Sequence, residues 1–402
     1  MRASNRSWPP PRRFTRGTPA AKFLTITAAI GLLAILGFVR QQTPGAHVTG
    51  EVANTIAASS IASSAGQSRT HPTGFFNGWF VSPKVGWAVM TSGVGGAALG
   101  RTIDGGIHWT PQLTLEYPHL LQRDMSFLDQ NNGFVAVGVP TNGHLESRLM
   151  ATTDGGDHWT ARSLPAGLVS GLDFVSPTRG WALTSQAATM AVYRTDDGGA
   201  TWQNCASPAG SSGDRALVHL EGVRFSNGQL GWVAGWVSSM AEVSVLYLVT
   251  NDGCKSWQTS WSGVGKQSSG NLEVMYVDLP QAVGGRFASA VVTRELNTGV
   301  YQLWRISSPT GLSQWKPDRA PDRSRTLPAW SPVGHSHSAI ITNGTVSAGL
   351  PSAPTLGASS AVMAIQFVDS STGFAEVAVA TSTRLMATHD GGTTWGLVSE
   401  GN

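Results

Sequence analysis

The sequence predicts an all-β fold, a seven-bladed β-propeller of four-stranded blades with six blades as the fallback count. Three observations predict it: a turn motif repeated five times, an aromatic pair repeated upstream of each copy, and a composition suited to packed sheets. The motif runs from Thr102 to Trp109, Thr153 to Trp159, Thr195 to Trp202, Thr250 to Trp257 and Thr388 to Trp395. Its carboxylates, Asp104, Asp154, Asp197, Asp252 and Asp390, are placed to accept hydrogen bonds from the N–H groups of their own turns. The glycines that follow permit positive φ. The closing Trp109, Trp159, Trp202, Trp257 and Trp395 each bring a large ring to bury between neighbouring sheets.

The second repeat sits upstream of each turn. Gly86-Trp87, Gly133-Phe134, Gly180-Trp181, Gly231-Trp232 and Gly373-Phe374 each follow a Phe that stands seven residues before the second aromatic. These markers are Phe80, Phe127, Phe174, Phe225 and Phe367, at spacings of 47, 47, 51 and 142 residues. Tyr276 fills the same slot 51 residues after Phe225, and the 91 residues from there to Phe367 are two periods. Two degenerate blades are therefore expected, at 276–320 with a worn turn from Ser308 to Trp315, and at 321–366 with none. Within the third blade the strands are read at 170–176, 181–185, 190–195 and 201–206, the turn joining the last two. Sheets buried on both faces explain 15 Trp and 13 Phe beside only 13% charged residues.

The amino terminus is organised differently. Residues 1–22 form a basic tail with Arg2, Arg6, Arg12, Arg13, Arg16 and Lys22, ahead of an apolar run at 23–39 closed by Arg40. This pattern is read as an uncleaved transmembrane signal anchor with a cytoplasmic amino terminus, a cleaved signal peptide being the other reading. Residues 41–72, rich in Ala, Ser, Thr and Gly, read as a flexible stalk, and 73–402 as the propeller, placed outside the cytoplasm. The first 40 residues hold seven of the 27 basic residues and none of the 24 acids, which leaves 20 bases against 24 acids. The propeller is mildly acidic, so nucleic acid is not an expected partner.

Cys205 and Cys254 are the chain's two cysteines, and they fall on adjacent blades near one rim. A disulfide and a pair of unpaired thiols both remain open readings. His335 and His337 form a lone His-x-His in a loop and read as solvated polar sequence, so no metal and no cofactor is expected.

The Thr-x-Asp-Gly-Gly-x-Thr-Trp turns resemble the Asp-box, or bacterial neuraminidase, repeats of the sialidase-type propeller superfamily. The coupled Phe and Gly-aromatic element resembles, more particularly, the photosystem II stability and assembly factor group. That resemblance spans residues 73–402 apart from the weak stretch 316–366. It implies a protein-binding platform for assembly of membrane proteins, with photosynthesis as the setting known for the group. It assigns the five turn aspartates and tryptophans an architectural role. The chain departs from bacterial members that carry a lipoprotein cysteine, since none precedes Cys205.

Catalysis has less support in the residues. Sialidases on this fold carry an Arg-Ile-Pro element, whereas Arg305-Ile306 here is followed by Ser307. None of Tyr117, Tyr193, Tyr247, Tyr276 and Tyr301 stands in a nucleophile's context. The chain is therefore read as a non-enzyme, with a sialidase-like glycosidase or a glycan-binding lectin as the alternative. Candidate binding residues are the polar positions ahead of the marker aromatics: Arg123, Asp124, Asp173, Glu221, Arg224, Glu273 and Gln366. They are expected on the funnel face opposite the box turns, where a mixed-charge ring suits a membrane or envelope protein partner. The competing reading makes them solvated rim residues or inter-blade ion pairs.

Overall fold

The computed structural model describes residues 61–62 and 74–401, apart from breaks at 92–96, 117–123, 142, 166, 187–188, 206–216, 239–241, 262–266, 269–271, 284, 319, 326–328, 334–336, 343–344, 348–359 and 380–381. The basic tail, the predicted anchor and most of the stalk lie outside the described residues. Among the described residues no helix is long and apolar enough to cross a membrane.

The fold is a β-propeller with six four-stranded blades, each an antiparallel meander. Blade 1 comprises Gly74–Phe80, Gly86–Thr91, Ala97–Thr102 and Thr110–Leu115. Blade 2 comprises Met125–Phe127, Gly133–Thr141, His144–Thr152 and His158–Ser163, with Ile61–Ala62 paired to its outer edge. Blade 3 runs through Leu168–Phe174, Gly180–Gln186, Thr189–Thr195 and Gln203–Asn204, each bound within two residues of the predicted strands. Blade 4 holds Leu217–Phe225, Gly231–Ser238, Glu242–Thr250 and Gln258–Trp261. Blade 5 holds Leu272–Val277, Arg286–Glu295, Tyr301–Ser308 and Lys316–Pro317. Blade 6 holds Ser360–Phe367, Gly373–Val379, Ser382–Thr388 and Gly396–Gly401. Between blades 5 and 6 lies a three-stranded sheet, Ala329–Val333, His337–Thr342 and Thr345–Ser347. The count of seven expected from spacing thus resolves into six four-stranded blades and this smaller sheet.

The two sequence repeats build one aromatic cluster per seam. Within a blade the marker Phe pairs across the hairpin with the Gly of the Gly-aromatic pair, as Phe174 does with Gly180. A Cβ at Gly86, Gly133, Gly180, Gly231 or Gly373 would lie 2.2–2.7 Å from that Phe ring, so the Phe lies flat on bare backbone. The next aromatic then reaches the following blade. Trp87 stacks on Phe127, Phe134 on Phe174, Trp181 on Phe225, and Phe374 on Phe80, at centroid distances of 3.5–3.8 Å. The box Trp of the receiving blade meets the same Phe edge-on, as Trp109, Trp159, Trp202 and Trp257 do at 6.1–6.5 Å. Offset and T-shaped contacts suit the ring quadrupoles and add to the burial term.

The turns follow the expected physics in detail. Thr102 Oγ1 donates to Asp104 Oδ1 and accepts from the Gly106 amide, while Asp104 Oδ1 accepts from the His108 amide. The same bonds recur at Thr152 and Asp154, Thr195 and Asp197, Thr250 and Asp252, and Thr388 and Asp390. The second carboxylate oxygen takes a side chain from the fourth residue on: His108, His158, Thr201, Ser256 or Thr394. His108 and His158 are thereby partnered within their own turns.

Blade 5 departs from the expected register. Inner strands carry a β-bulge, at Ser170 in blade 3, Glu221 in blade 4 and Met275 in blade 5. Counted from the bulge, Leu279 and not Tyr276 takes the marker slot. Four extra residues then enter the following turn, from which Phe287 swings beneath Trp232 at 4.9 Å. Tyr276 packs instead against the cluster of Ala288, Ala290, Val292 and Leu303.

Candidate functional site

Each blade's inner strand has two ends, and the candidate residues divide between them. The box end carries the position just before the marker aromatic. There, Asp173 Oδ2 accepts from the Phe225 amide of blade 4 at 2.6 Å, and Ser126 Oγ accepts from the Phe174 amide of blade 3 at 2.9 Å. Gln366 of blade 6 closes the ring with two bonds to one residue. Its Oε1 accepts from the Phe80 amide at 2.7 Å, and its Nε2 donates to the Phe80 carbonyl at 2.9 Å. Glu376 adds to that closure by accepting from the Asn77 amide at 2.9 Å and from the Gly78 amide. These side chains satisfy main-chain groups of the adjacent blade that burial would otherwise leave costly.

The environment of the acids is correspondingly unusual. Burial pushes the Asp173 carboxyl up to about 7, against the pull of the Arg224 guanidinium and the Phe225 amide. Burial likewise raises Glu376, against the Gly78 and Asn77 amides. The box carboxyls go the other way. The Thr201 hydroxyl and amide hold Asp197 down at about 2, and the Ser256 hydroxyl does the same for Asp252. At Asp104 burial works upward, but the bonds from His108 and Thr102 outweigh it and leave the carboxyl below its ordinary value.

The end remote from the boxes is different. Two residues before each bulge lies one cross-strand pair per blade, and its chemistry changes around the ring. Blade 1 has Phe75 opposite Met90, blade 3 Leu168 opposite Ser185, and blade 6 Ala361 opposite Ala378. Blade 4 has His219 opposite Trp236, and blade 5 has Glu273 opposite Arg294. His219 stacks on Trp236 at 4.0 Å. Arg294 Nη1 lies 3.9 Å from Glu273 Oε2, and its guanidinium sits over the Tyr301 ring at 5.6 Å. The Arg294 and Glu273 side chains are 41% and 44% exposed, so this pair meets solvent. Glu221, the bulge residue of blade 4, is half-buried beside them on the same strand as His219. A bulge re-aims the residue it inserts, which is why bulges recur at functional surfaces.

The predicted binding residues therefore do not form one ring. Asp173 and Gln366 stand at the box end and bond the next blade. Asp124 is buried, Arg224 is half-buried beside Asp173, and Arg123 lies outside the described residues. Glu221 and Glu273 belong to the opposite end, with His219, Trp236 and Arg294, which the sequence reading missed. Their place two residues before the bulge is set by the strand pairing and carries no signal in the sequence. Among the described residues no group of three His, Cys, Asp or Glu side chains could hold a metal ion, and His335 lies outside them.

Cys205 and Cys254 are disulfide-bonded, with Cα atoms 5.4 Å apart, and so join blade 3 to blade 4.

No protein-family model and no curated protein matches the sequence. Among solved structures, YCF48 bound to D1 peptide is 17% identical, with a TM-score of 0.42 over 86% of this chain and 88% of its own. The GH74 xyloglucanase from Xanthomonas campestris is 15% identical, with a TM-score of 0.44 over 82% of this chain and 46% of its own. A prolyl endopeptidase reaches a TM-score of 0.51 at 15% identity, over 81% of this chain and 50% of its own. That last likeness shows a shared propeller fold and leaves activity aside.

Proposed function

We propose that this chain is a membrane-anchored, extracytoplasmic β-propeller that holds a protein partner on the inner-strand mouth of blades 4 and 5, as an assembly platform and not a catalyst. The observation that carries the reading is the change of chemistry around that mouth. At one equivalent position the described blades 1, 3 and 6 present apolar or small residues, whereas blades 4 and 5 present His219 with Trp236 and Glu273 with Arg294. Charges of both signs beside a Trp and an Arg are the residue types that anchor protein partners, and their juxtaposition sets specificity.

The other parts of the reading have their own support. A disulfide persists outside the reducing cytoplasm. Six positive charges ahead of the apolar run 23–39 orient an anchor with its amino terminus inside. The turns are read as Asp-boxes, and the sheet 329–347 as a reduced seventh blade. The family resemblance of the Phe and Gly-aromatic element makes a membrane protein the partner class. The test is affinity capture from membranes solubilised in mild detergent, with wild type beside Glu273→Arg/Arg294→Glu. A partner held by wild type and lost by the charge-swapped variant, at unchanged melting temperature, supports the reading. Equal recovery by both overturns the assignment of the surface.

A second reading, glycan binding or hydrolysis, has one observation in its favour. Asp173 titrates near 7, as a general acid would. Its carboxylate, however, is engaged with the Phe225 amide. Turnover of fluorogenic glycosides that disappears in Asp173→Asn would favour this reading.

A further inference from the structure

The residue three positions after the box Trp reaches the box turn of the next blade at four seams. In blade 1 it is Gln112, whose Oε1 fills the space that a Cβ on Gly156 of blade 2 would need, 2.0 Å away. In blade 2 it is Arg162, whose Nη1 donates to the carbonyl of Gly198 in blade 3, one residue before Gly199, the counterpart of Gly156. In blade 6 it is Val398, with Cγ1 3.5 Å from the corresponding point on Gly106 of blade 1. In blade 3 it is Cys205, and the residue it reaches in blade 4 is Cys254. The disulfide therefore occupies the site where the neighbouring seams use a non-covalent contact onto a box glycine.

Cys254 also differs from its counterparts in backbone. It stands four residues after Thr250, where the other full boxes have Gly106, Gly156, Gly199 and Gly392 at φ of 92–99°. Cys254 holds φ at 78°, a left-handed conformation that a residue with a Cβ adopts at a cost. Both cysteines are buried, at 8% and 3% exposure. Two thiols cannot share the space of one bond, so the sulfurs must part to van der Waals separation at a site closed to solvent. The seam itself has to absorb that displacement. No polar side chain substitutes there as Gln112 and Arg162 do at their seams, because the cysteine occupies that position.

We infer that the Cys205–Cys254 bridge is a redox-sensitive staple whose reduction opens the seam between blades 3 and 4 ahead of the others. The reductant is a dithiol. When a transient opening admits it to the buried bridge, one of its thiolates attacks a bridge sulfur and expels the other cysteine as a thiolate, and its second thiol resolves the mixed disulfide. Two electrons and two protons pass to Cys205 and Cys254, and the dithiol leaves as its own disulfide. The contacts that remain at the seam include the Trp181–Phe225 stack, the Asp173 bond to the Phe225 amide, the bond from the Leu220 amide to Met190 Sδ, and the packing of Leu183 and Val192 with Leu220 and Val223. The Phe225 amide reports the opening directly.

The experiment is hydrogen exchange on the full chain, oxidised and after dithiothreitol, with reduction verified by mass. The Phe225 amide should exchange at least tenfold faster once the bridge is reduced. The Phe174 and Phe80 amides, held at other seams by Ser126 and Gln366, should stay within about twofold. Cys205→Arg/Cys254→Gly, which restores a Gly-Gly box and places an arginine to bond the Gly253 carbonyl as Arg162 bonds that of Gly198, should hold the Phe225 amide at its oxidised rate in dithiothreitol. A bridge that resists reduction in the folded protein, an equal rise at all three amides, or a rebuilt variant that opens like the reduced wild type would each overturn the inference.

Discussion

Replacing Trp181 tests how the seams are held. Its ring is fully buried, at 0% exposure, and lies 3.5 Å from the Phe225 ring of the next blade with an interplanar angle of 5°. A buried Trp removes about 200 Å² from water, worth roughly 5 kcal/mol at about 25 cal/mol per Å². The retained Cβ lowers that figure, while the lost stack and residual cavity restore part of it. Trp181→Ala should therefore cost about 3–5 kcal/mol. Trp181→Phe should cost much less, about 1–2 kcal/mol, because Phe134 and Phe374 already form the same stack at 3.6 Å at two other seams. Urea unfolding followed by far-UV circular dichroism reads both values, given an unchanged m-value. A loss below about 1 kcal/mol for Ala, or equal losses for Ala and Phe, would refute the claim that stacked rings hold the blades together.

Three further outcomes follow from the same contacts. The Asp173 carboxyl titrates higher folded than unfolded, so the native state holds the extra proton and stability falls as pH rises from about 4 to about 7. Asp173→Asn should remove a slope of up to about 1.4 kcal/mol per pH unit from that window in a melting-temperature series. The box carboxyls have the opposite sign: with Asp197, Asp252 and Asp390 at about 2, their stabilisation is complete above about pH 4 and is lost as pH falls through 2. Asp197→Asn should flatten that acid limb, and an unaltered limb would remove the box from the acid response. Gly180→Ala drives a Cβ to 2.4 Å from the Phe174 ring and should cost about 1–3 kcal/mol. Gly143→Ala, with open space around it and φ of 80°, should lose only about 1 kcal/mol through its backbone; equal melts for the two would discount the steric account.

What was legible in the sequence is what repeats locally. The box writes its hydrogen bonds within five residues, and the marker Phe lies on its Gly six residues later, so both can be read from spacing. Blade 5 was misread because four inserted residues put Phe287 into a ring slot that the period assigns to Tyr276. The seam bonds were not legible because they join residues far apart in sequence. Asp173 bonds an amide 52 residues away, and Gln366 one 286 residues away. A carboxylate before an aromatic looks the same in sequence whether it faces a funnel or a neighbour's main chain. The mouth of blades 4 and 5 was hidden for another reason: a bulge shifts register by one residue, and nothing in composition marks it. The cysteines fell on adjacent blades by counting, but only the 5.4 Å between their Cα atoms decides in favour of a bond.

The central claim is that inner-strand polar groups divide into those that bond the next blade and those that meet a partner. Quantitative capture of the membrane partner by two sets of variants, each assayed well below its own melting temperature, tests that division most directly. Glu273→Arg/Arg294→Glu and Trp236→Ala should lose the partner at least tenfold, while Gln366→Ala melts lower yet binds as wild type does. Loss of capture in Gln366→Ala together with retention in the mouth variants would contradict the account.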